Sequence, residues 1–292
     1  VTSETLPRVR AGRTPGTESR GKGLLKHLLI IAFGFVMLYP LLWLLSSSFK
    51  PTEVIFREPS LLPSKVQFDN YTDGWTALAH PFQHYLLNSA VIAVLAIIGN
   101  LLTCSLAAYA FARVEFPLKK LWFALMLGTI MLPIHVLIVP QYVLFSKLDW
   151  INTILPLVVP KFLAHDAFFV FLMVQFIRGL PRELDEAARL DGCGHFRIYA
   201  RIVMPLCLPA LATSAVFTFI WTWNDFFSQL IFLTDPDKYT VPVALRSFMD
   251  AQSGTSWGPL FAMSVVALVP IFGFFLAGQR YLTRGIATTG LK

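Results

Sequence analysis

Charged side chains are scarce in this chain. Asp, Glu, Lys and Arg make up 14% of its 292 residues, against about 25% in a typical soluble domain, and this excludes a protein wetted on all sides. Cysteine is scarcer still, at three. Cys104 and Cys207 fall in apolar runs and Cys193 in a polar loop, so none is placed for an oxidising compartment to pair. No HExxH, no Ser, His and Asp set and no carboxylates paired on one short element occur. An enzyme reading therefore has no catalytic residues to rest on. His80 and His84 are four apart, a metal-pair spacing on a helix, but Pro81 is expected to start the helix there. No third ligand is near, and no metal site is expected. Gly16 to Lys22 fits GxxxxGK, yet residue 23 is Gly where magnesium needs Ser or Thr, and no strand precedes it. The chain is expected to bind no nucleotide and no other cofactor.

What the sequence does have is apolar length. It is 55% hydrophobic with a positive mean hydropathy, and a membrane span needs about 20 mainly apolar residues. Six windows qualify, at roughly 24 to 46, 85 to 110, 121 to 145, 154 to 177, 206 to 233 and 259 to 282. All six are expected as helices, because lipid tolerates only segments that satisfy their own backbone hydrogen bonds. The first run is too long for a cleaved signal and is expected to remain as an anchor. Residues 1–23 hold few large apolar side chains and are expected to form a disordered tail.

Orientation follows from Lys and Arg. With six spans both termini share a face. That face carries six basic residues up to Lys26, three at Arg113, Lys119 and Lys120, five from Arg178 to Arg201 and three near the C-terminus, against seven on the other. The excess predicts that both termini and the loop after span four are cytoplasmic. The net charge of +7 is thus a topology signal, with no nucleic-acid partner implied.

The loop after span four reads ELDEAARLDGCGHFRIYARIVMP, residues 183–205. Pro181 suits a first helical turn, and Glu183, Asp185 and Glu186 place negative charge at a helix N-terminus. Asp185 can pair with Arg189 at i and i+4. A helix over about 181–190 is expected, then a turn at Asp191, Gly192, Cys193 and Gly194, then a second helix from His195 that Pro205 stops. Ala187 and Ala188 remove bulk, so another protein can approach this surface closely.

The order Glu186, Ala187, Ala188, then Gly192, Ile202 and Pro205, resembles the EAA loop of bacterial ABC-importer permeases, with Met204 where Leu is usual. The resemblance extends over nearly the whole chain. Phe49 to Pro51, Glu53, Val54, Pro63, Phe68, Asn70 and Tyr71 are similar to the first external loop of the second permease of carbohydrate importers, AAYAFAR at 107–113 to the inner end of its second span, WTWNDFF at 221–227 to a Trp-Asn segment of its fifth, and Gly285 to Lys292 to its tail. The maltose-transporter type of inner-membrane permease, with six spans, is the family this implies. The implied fold is an all-α membrane protein of the type I ABC importer class, with a permease domain over 24–282, a coupling loop at 178–205 and a cytoplasmic tail at 283–292. The implied location is the bacterial plasma membrane.

The implied partners are a homologous permease, two ATP-binding subunits that hold ATP and Mg, an extracytoplasmic solute-binding protein, and membrane lipid. Glu186, Ala187, Ala188, Asp191, Gly192, Ile202 and Pro205 are then the ATPase-coupling residues, and Gly290, Leu291 and Lys292 reach between the ATPases. The solute path is open to two readings. Asn100, Gln141, Asp166, Gln175, Asn224, Asp225 and Gln229 are polar groups in spans that either line a cavity or hold helices together. Asp166 and Asp225 are each eight residues from an outer span end, about 12 Å deep at 1.5 Å per residue, an equal depth that permits a shared cavity. Trp221 and Trp223 either stack on a sugar ring or anchor at the lipid interface. An amino-acid or peptide permease and a secondary transporter remain the alternatives.

Overall fold

The structure, a computed structural model, describes residues 20–250 and 254–289. Its helices run α1 Arg20–Ser47, α2 Asp69–Thr76, α3 Phe82–Arg113, α4 Lys119–Thr129, α5 Ile134–Lys147, α6 Leu155–Val158, α7 Ala167–Arg178, α8 Glu183–Leu190, α9 His195–Ile198, α10 Met204–Leu206, α11 Leu208–Asn224, α12 Phe227–Phe232, α13 Val241–Ser247 and α14 Trp257–Thr289. A 3₁₀ turn at Val159–Leu163 joins α6 towards α7, and a π turn at Tyr199–Val203 joins α9 to α10. A two-residue antiparallel pair, β1 Met249–Asp250 with β2 Gly254–Thr255, closes the loop before α14. Gly290, Leu291 and Lys292, expected to meet the ATPases, lie outside the described residues.

α3 is the centre of the bundle. Ala93, Ala96, Asn100, Cys104, Ala108 and Ala112 are buried along it at steps of three and four, and these small side chains let α7 and α11 pack close to its backbone. Phe169, Val170, Met173, Val174 and Ile177 of α7 fill one side. Phe219 and Trp223 of α11 pack with Ala262, Met263 and Ala267 of α14 on the other. Gly99 sits directly under Phe162, where an added Cβ would lie 2.5 Å from the ring. By contrast α1 exposes most of its large apolar residues and is tied to the bundle where Trp43 meets Phe261 edge-on.

The segment between α1 and α2 folds back on itself. Lys50 is fully buried and its Nζ donates to the carbonyls of Glu58 and Ser60, at 2.7 and 2.6 Å. Asn70 donates to the carbonyls of Ser48 and Lys50, and Phe49 packs on Phe68 and Tyr71. The residues that carried the resemblance there are the ones that close this loop.

Four described helices are long and apolar enough to cross a membrane, five when the bent pair His195–Leu206 and Leu208–Asn224 is counted. The expectation of six unbroken helices is corrected at three windows, of which 154–177 breaks at Ala164, where the backbone turns left-handed between the 3₁₀ turn and α7. The window 121–145 is split between α4 and α5, because Pro133 has no N–H to give a helix and forces its predecessor out of the helical region. At 1.5 Å per residue, α4 is about 17 Å long, well short of a hydrocarbon core of about 30 Å. The window 206–233 breaks at Asp225, whose backbone is extended. At the ends, α1 begins at Arg20 and α14 continues to Thr289, so helix extends past both expected domain boundaries.

Candidate functional site

Two polar regions stand out, one at each depth of the bundle. The first is the loop 178–205. α8 begins at Glu183, with Arg182 as its cap and Pro181 outside it, slightly later than the sequence suggested. Its first turn holds Glu183, Asp185 and Glu186, which suit the positive end of the helix dipole. It ends in a Schellman turn: Gly192 takes φ +77°, its N–H donates to Arg189, and the Cys193 N–H donates to Ala188. Gly192 therefore makes the expected turn, in a conformation that L side chains rarely adopt. Asp191 precedes it, exposed.

Three expectations for this loop need correction. Asp185 does not pair with Arg189. Its Oδ2 lies 2.9 Å from Arg113 Nε at the end of α3, with both side chains almost wholly buried. This is a close ion pair whose N–H points off the line to the oxygen, while Arg113 Nη2 donates to the Leu180 carbonyl at 2.8 Å. The guanidinium reaches a desolvated site that an exposed i,i+4 arginine does not. Next, the two alanines do not form one patch. Adjacent helical positions point about 100° apart, so Ala188 packs into the core with Val174 and Ile198 while Ala187 stays exposed beside Glu186. Finally, Pro205 does not end the second helix. The π turn at Tyr199–Val203 widens the helix just before it, which accommodates a residue that lacks an N–H and crowds the preceding turn. The chain bends instead at Cys207, by 77°. Ile202 is half-buried and Pro205 exposed.

The loop is fastened to one stripe of α3. Arg113 holds Asp185, Tyr109 OH is 3.3 Å from His195 Nδ1, and Ser105 Oγ is 2.7 Å from Tyr199 OH. These three anchors are spaced four apart, on one face of a helix. Beside them a cleft of about 340 Å³ is lined by Arg113, Glu115, Arg182, Asp185, Glu186, Arg189 and His195. Arg113 escaped the sequence reading as a site residue, being weighed there only for topology. Its position two turns beyond Ser105, facing a loop rich in acids, was the available signal.

The second region lies within the spans. A cavity of about 420 Å³ is lined by Lys161, Asp166, Trp221, Thr222, Asn224, Asp225 and Gln229, with Ile92, Leu157 and Ile220 as its apolar wall. Asp166 and Asp225 share this cavity, which their equal depth permitted. It exists because the helices break there. Between the 3₁₀ turn and α7, Ala164 takes φ +52°, and Thr103 of α3 bridges the gap by donating to the Lys161 carbonyl and accepting from the Ala164 N–H. Between α11 and α12, Asp225 Oδ1 accepts from the Ser228 N–H and caps the new helix. Gln229 donates to the Thr222 carbonyl at 2.9 Å and accepts from the Thr240 hydroxyl. Asn224 donates to the Ile220 carbonyl of its own helix, not to a neighbouring one.

The remaining candidates separate. Trp221 is half exposed, in contact with Phe168 and Phe169, and faces the cavity. Trp223 is buried, its Nε1 donating to the Ala267 carbonyl of α14 while its ring stacks on Phe219, so it is neither a wall of this cavity nor a lipid anchor. Asn100 is wholly buried and donates to Thr218 Oγ1 at 2.7 Å, joining α3 to α11. Gln141 lies on α5, away from the cavity. Asp166 is engaged by Lys161 Nζ at 2.7 Å, a lysine five residues upstream that sequence reading had assigned only to the outer face. At the start of α3, the rings of His80 and His84 lie tilted against each other with centroids 4.6 Å apart. They meet Asp237 through its carboxylate and its carbonyl respectively, at 2.6 and 2.7 Å.

Comparison with known proteins gives these features a context. Residues 99–288 match the family described as binding-protein-dependent transport system inner membrane component. The arabinooligosaccharides transport system permease protein AraQ of Halalkalibacterium halodurans is 34% identical over 275 residues, covering 92% of this chain and 97% of its own. The diacetylchitobiose uptake system permease protein NgcG of Streptomyces coelicolor is 30% identical over 279 residues, covering 95% and 92%. In three dimensions the chain is similar to one from a crystal structure of a bacterial ABC transporter involved in the import of the acidic polysaccharide alginate, with a TM-score of 0.78 at 21% identity, covering 92% of this chain and 99% of that one. The chain is a multi-pass membrane protein and belongs to the family of binding-protein-dependent transport system inner membrane components.

Proposed function

We propose that this chain is one permease half of an ATP-driven importer for a sugar or sugar derivative, and that it works beside a homologous permease, two ATP-binding subunits that hold ATP and Mg, and a solute-binding protein on the outer face. The observation that carries the reading is the near full-length match to permeases of oligosaccharide uptake systems. The cavity chemistry supports it. Trp221 offers a ring face, and Asn224, Asp225 and Thr222 offer hydrogen-bonding groups around a space of about 420 Å³, the mixture that a sugar's apolar face and hydroxyls require.

Coupling runs through α8. Closure of an ATP-bound dimer pulls α8 with it, and Arg113, Tyr109 and Ser105 pass that displacement to α3, whose other faces pack on α7 and α11 around the cavity. Two states of the bundle, one open outward and one inward, are then populated in turn by ATP binding and hydrolysis. Glu186 and Ala187 are the exposed contacts for the ATPase, with Gly192 fixing the turn, and the tail at Gly290, Leu291 and Lys292 supplies a further contact. The basic-residue excess supports placing this loop and both termini in the cytoplasm.

The test is ATP-dependent uptake in proteoliposomes holding the assembled transporter and its solute-binding protein, with radiolabelled oligosaccharides, amino acids and peptides offered in turn. Saccharide uptake is expected, and uptake confined to amino acids or peptides would overturn the sugar assignment. Cysteines at Lys238 and at Arg197, both exposed, test orientation: an impermeant thiol reagent applied to intact cells should label the first alone.

A further inference from the structure

A second cavity, of about 730 Å³, opens where the ends of α3, α4 and α7 meet, at the same end of the bundle as α8. Its lining is divided by chemistry. Lys119, Lys120, Arg178 and Arg182 face a single carboxylate, Glu115, while the other walls are apolar and include the rings of Phe116 and Phe123. Lys119 is already engaged, with Nζ 2.8 Å from the Val114 carbonyl and 3.1 Å from Glu115. Among the described residues, Lys120, Arg178 and Arg182 have no carboxylate partner. The Arg178 guanidinium lies over the Phe123 ring, 5.1 Å from its centre, a contact that fixes the charge and leaves its N–H groups to face an incoming anion. Three uncompensated cations around one cavity call for an anionic ligand.

The surroundings decide which kind. Leu118, Leu121, Trp122 and Leu125 each expose half or more of their surface along the outward side of α4, an apolar strip that continues from the cavity towards the hydrocarbon. A tryptophan beside lysines at a helix end marks the level of the headgroups. A free anion would need the cations alone, whereas a lipid uses the strip as well. We propose that this cavity binds the headgroup of an anionic phospholipid, with its phosphate held by Lys120, Arg178 and Arg182 and its acyl chains laid along α4. Arg182 also borders the cleft at α8, so the bound headgroup stands against the first turn of the coupling helix. The leaflet, the cytoplasmic one, rests on the orientation proposed above; the cavity and its charges do not.

The experiment uses the assembled transporter, titrated in detergent with phosphatidylglycerol or phosphatidylcholine, with retained lipid counted by native mass spectrometry. Phosphatidylglycerol should be retained in preference to phosphatidylcholine. The double variant Lys120→Gln with Arg178→Gln should weaken that retention by about thirtyfold, two cations at the membrane surface being removed. Lys120→Gln alone, at an exposed position, gives a smaller loss in the same direction and serves if the double variant does not assemble. Unchanged retention in the variants, or equal retention of both lipids by the unmodified transporter, would overturn the site. So would complete displacement of lipid by inorganic phosphate or glycerol phosphate, which would reveal a free-anion pocket, or a crosslink from Lys120→Cys to the companion permease, which would show the face covered by protein. Uptake measured on the same preparations keeps the readings apart. Transport without lipid preference removes the lipid site and leaves the permease standing, while lipid preference without transport does the reverse.

Discussion

The polar regions at the two levels of this bundle are built on opposite plans. At the loop 178–205, partners distant in sequence meet: Arg113 with Asp185, Tyr109 with His195, Ser105 with Tyr199. At the cavity, polar side chains mostly serve their neighbours: Asp225 caps Ser228, Asn224 bonds Ile220, Gln229 bonds Thr222, and Lys161 meets Asp166 five residues on. Long-range pairs fix one element against another, so α8 cannot shift without dragging α3. Local bonds do something else. They satisfy backbone groups freed where helices break, which is the condition for a break to exist at membrane depth at all. One region ties separate elements to one another and the other holds a space open.

The largest effect should come from separating the buried pair. Arg113→Ala leaves Asp185 charged and desolvated, at a cost of about 3–5 kcal/mol, seen as a lower melting temperature of the purified transporter. Arg113→Met combined with Asp185→Leu should recover most of that stability and still uncouple ATP hydrolysis from uptake. A double variant that transports normally would show that the pair is not a transmission element.

Next come the two alanines, one facing in and one facing out. Ala188→Trp forces bulk into the core and should cost about 1–3 kcal/mol or more of this chain's own stability. Ala187→Trp should leave melting unchanged and weaken association with the ATPase subunits. Binding of those subunits, measured beside thermal melting, separates the cases. Equal melting of both variants would place Ala188 at the surface after all.

At the cavity the comparison can be sharpened with Asp225. Asp225→Ala removes a helix cap and should cost about 0.5–2 kcal/mol, whereas Asn caps as well as Asp. Asp225→Asn therefore keeps the break intact and changes only the charge offered to solute. Reduced uptake with unchanged assembly and melting is expected from the Asn variant. Normal uptake of every saccharide would confine Asp225 to its capping bond.

The smallest effect is at Asp237, outside the spans. The hydrogen bond with His80 is the main cause holding the Asp237 carboxyl below its usual range, against weaker desolvation. A depressed carboxylate contributes stability that is complete above its unfolded value near 3.9 and fades as pH falls through the lower folded value. Asp237→Asn should therefore be slightly less stable than the unmodified chain near neutral pH and match it in the most acidic range. Melting curves across pH 2–6 would show the difference closing as pH falls; a gap that persists unchanged would assign it to something other than this carboxylate.

Much of this was legible in the primary structure, and the reasons differ by element. Gly192 was readable as the turn after α8 because the requirement for positive φ is local. The equal depth of Asp166 and Asp225 was readable because helical rise converts sequence position into depth, while their sharing one cavity was not. Asn100, Trp223 and Trp221 were not separable, since facing a cavity or a neighbouring helix depends on azimuth, which hydropathy does not carry when a helix is apolar all round. Pro205 was misleading because its effect depends on the turn before it. The π turn at Tyr199–Val203 absorbs the proline and moves the bend to Cys207.

By itself the sequence determined that the chain lives in a membrane, which face carries the basic residues and which loop between spans must lie in water, because transfer of apolar and charged groups out of water is settled residue by residue. Only the tertiary structure decided that Arg113 and not Arg189 holds Asp185, that Ala188 faces inward while Ala187 faces out, and that the cavity of Asp166 and Asp225 is framed by broken helices. These depend on which surfaces of α3, α7, α8 and α11 come within a few ångströms of one another, and that distance is fixed by close packing of small side chains along α3, far in sequence from the residues it brings together.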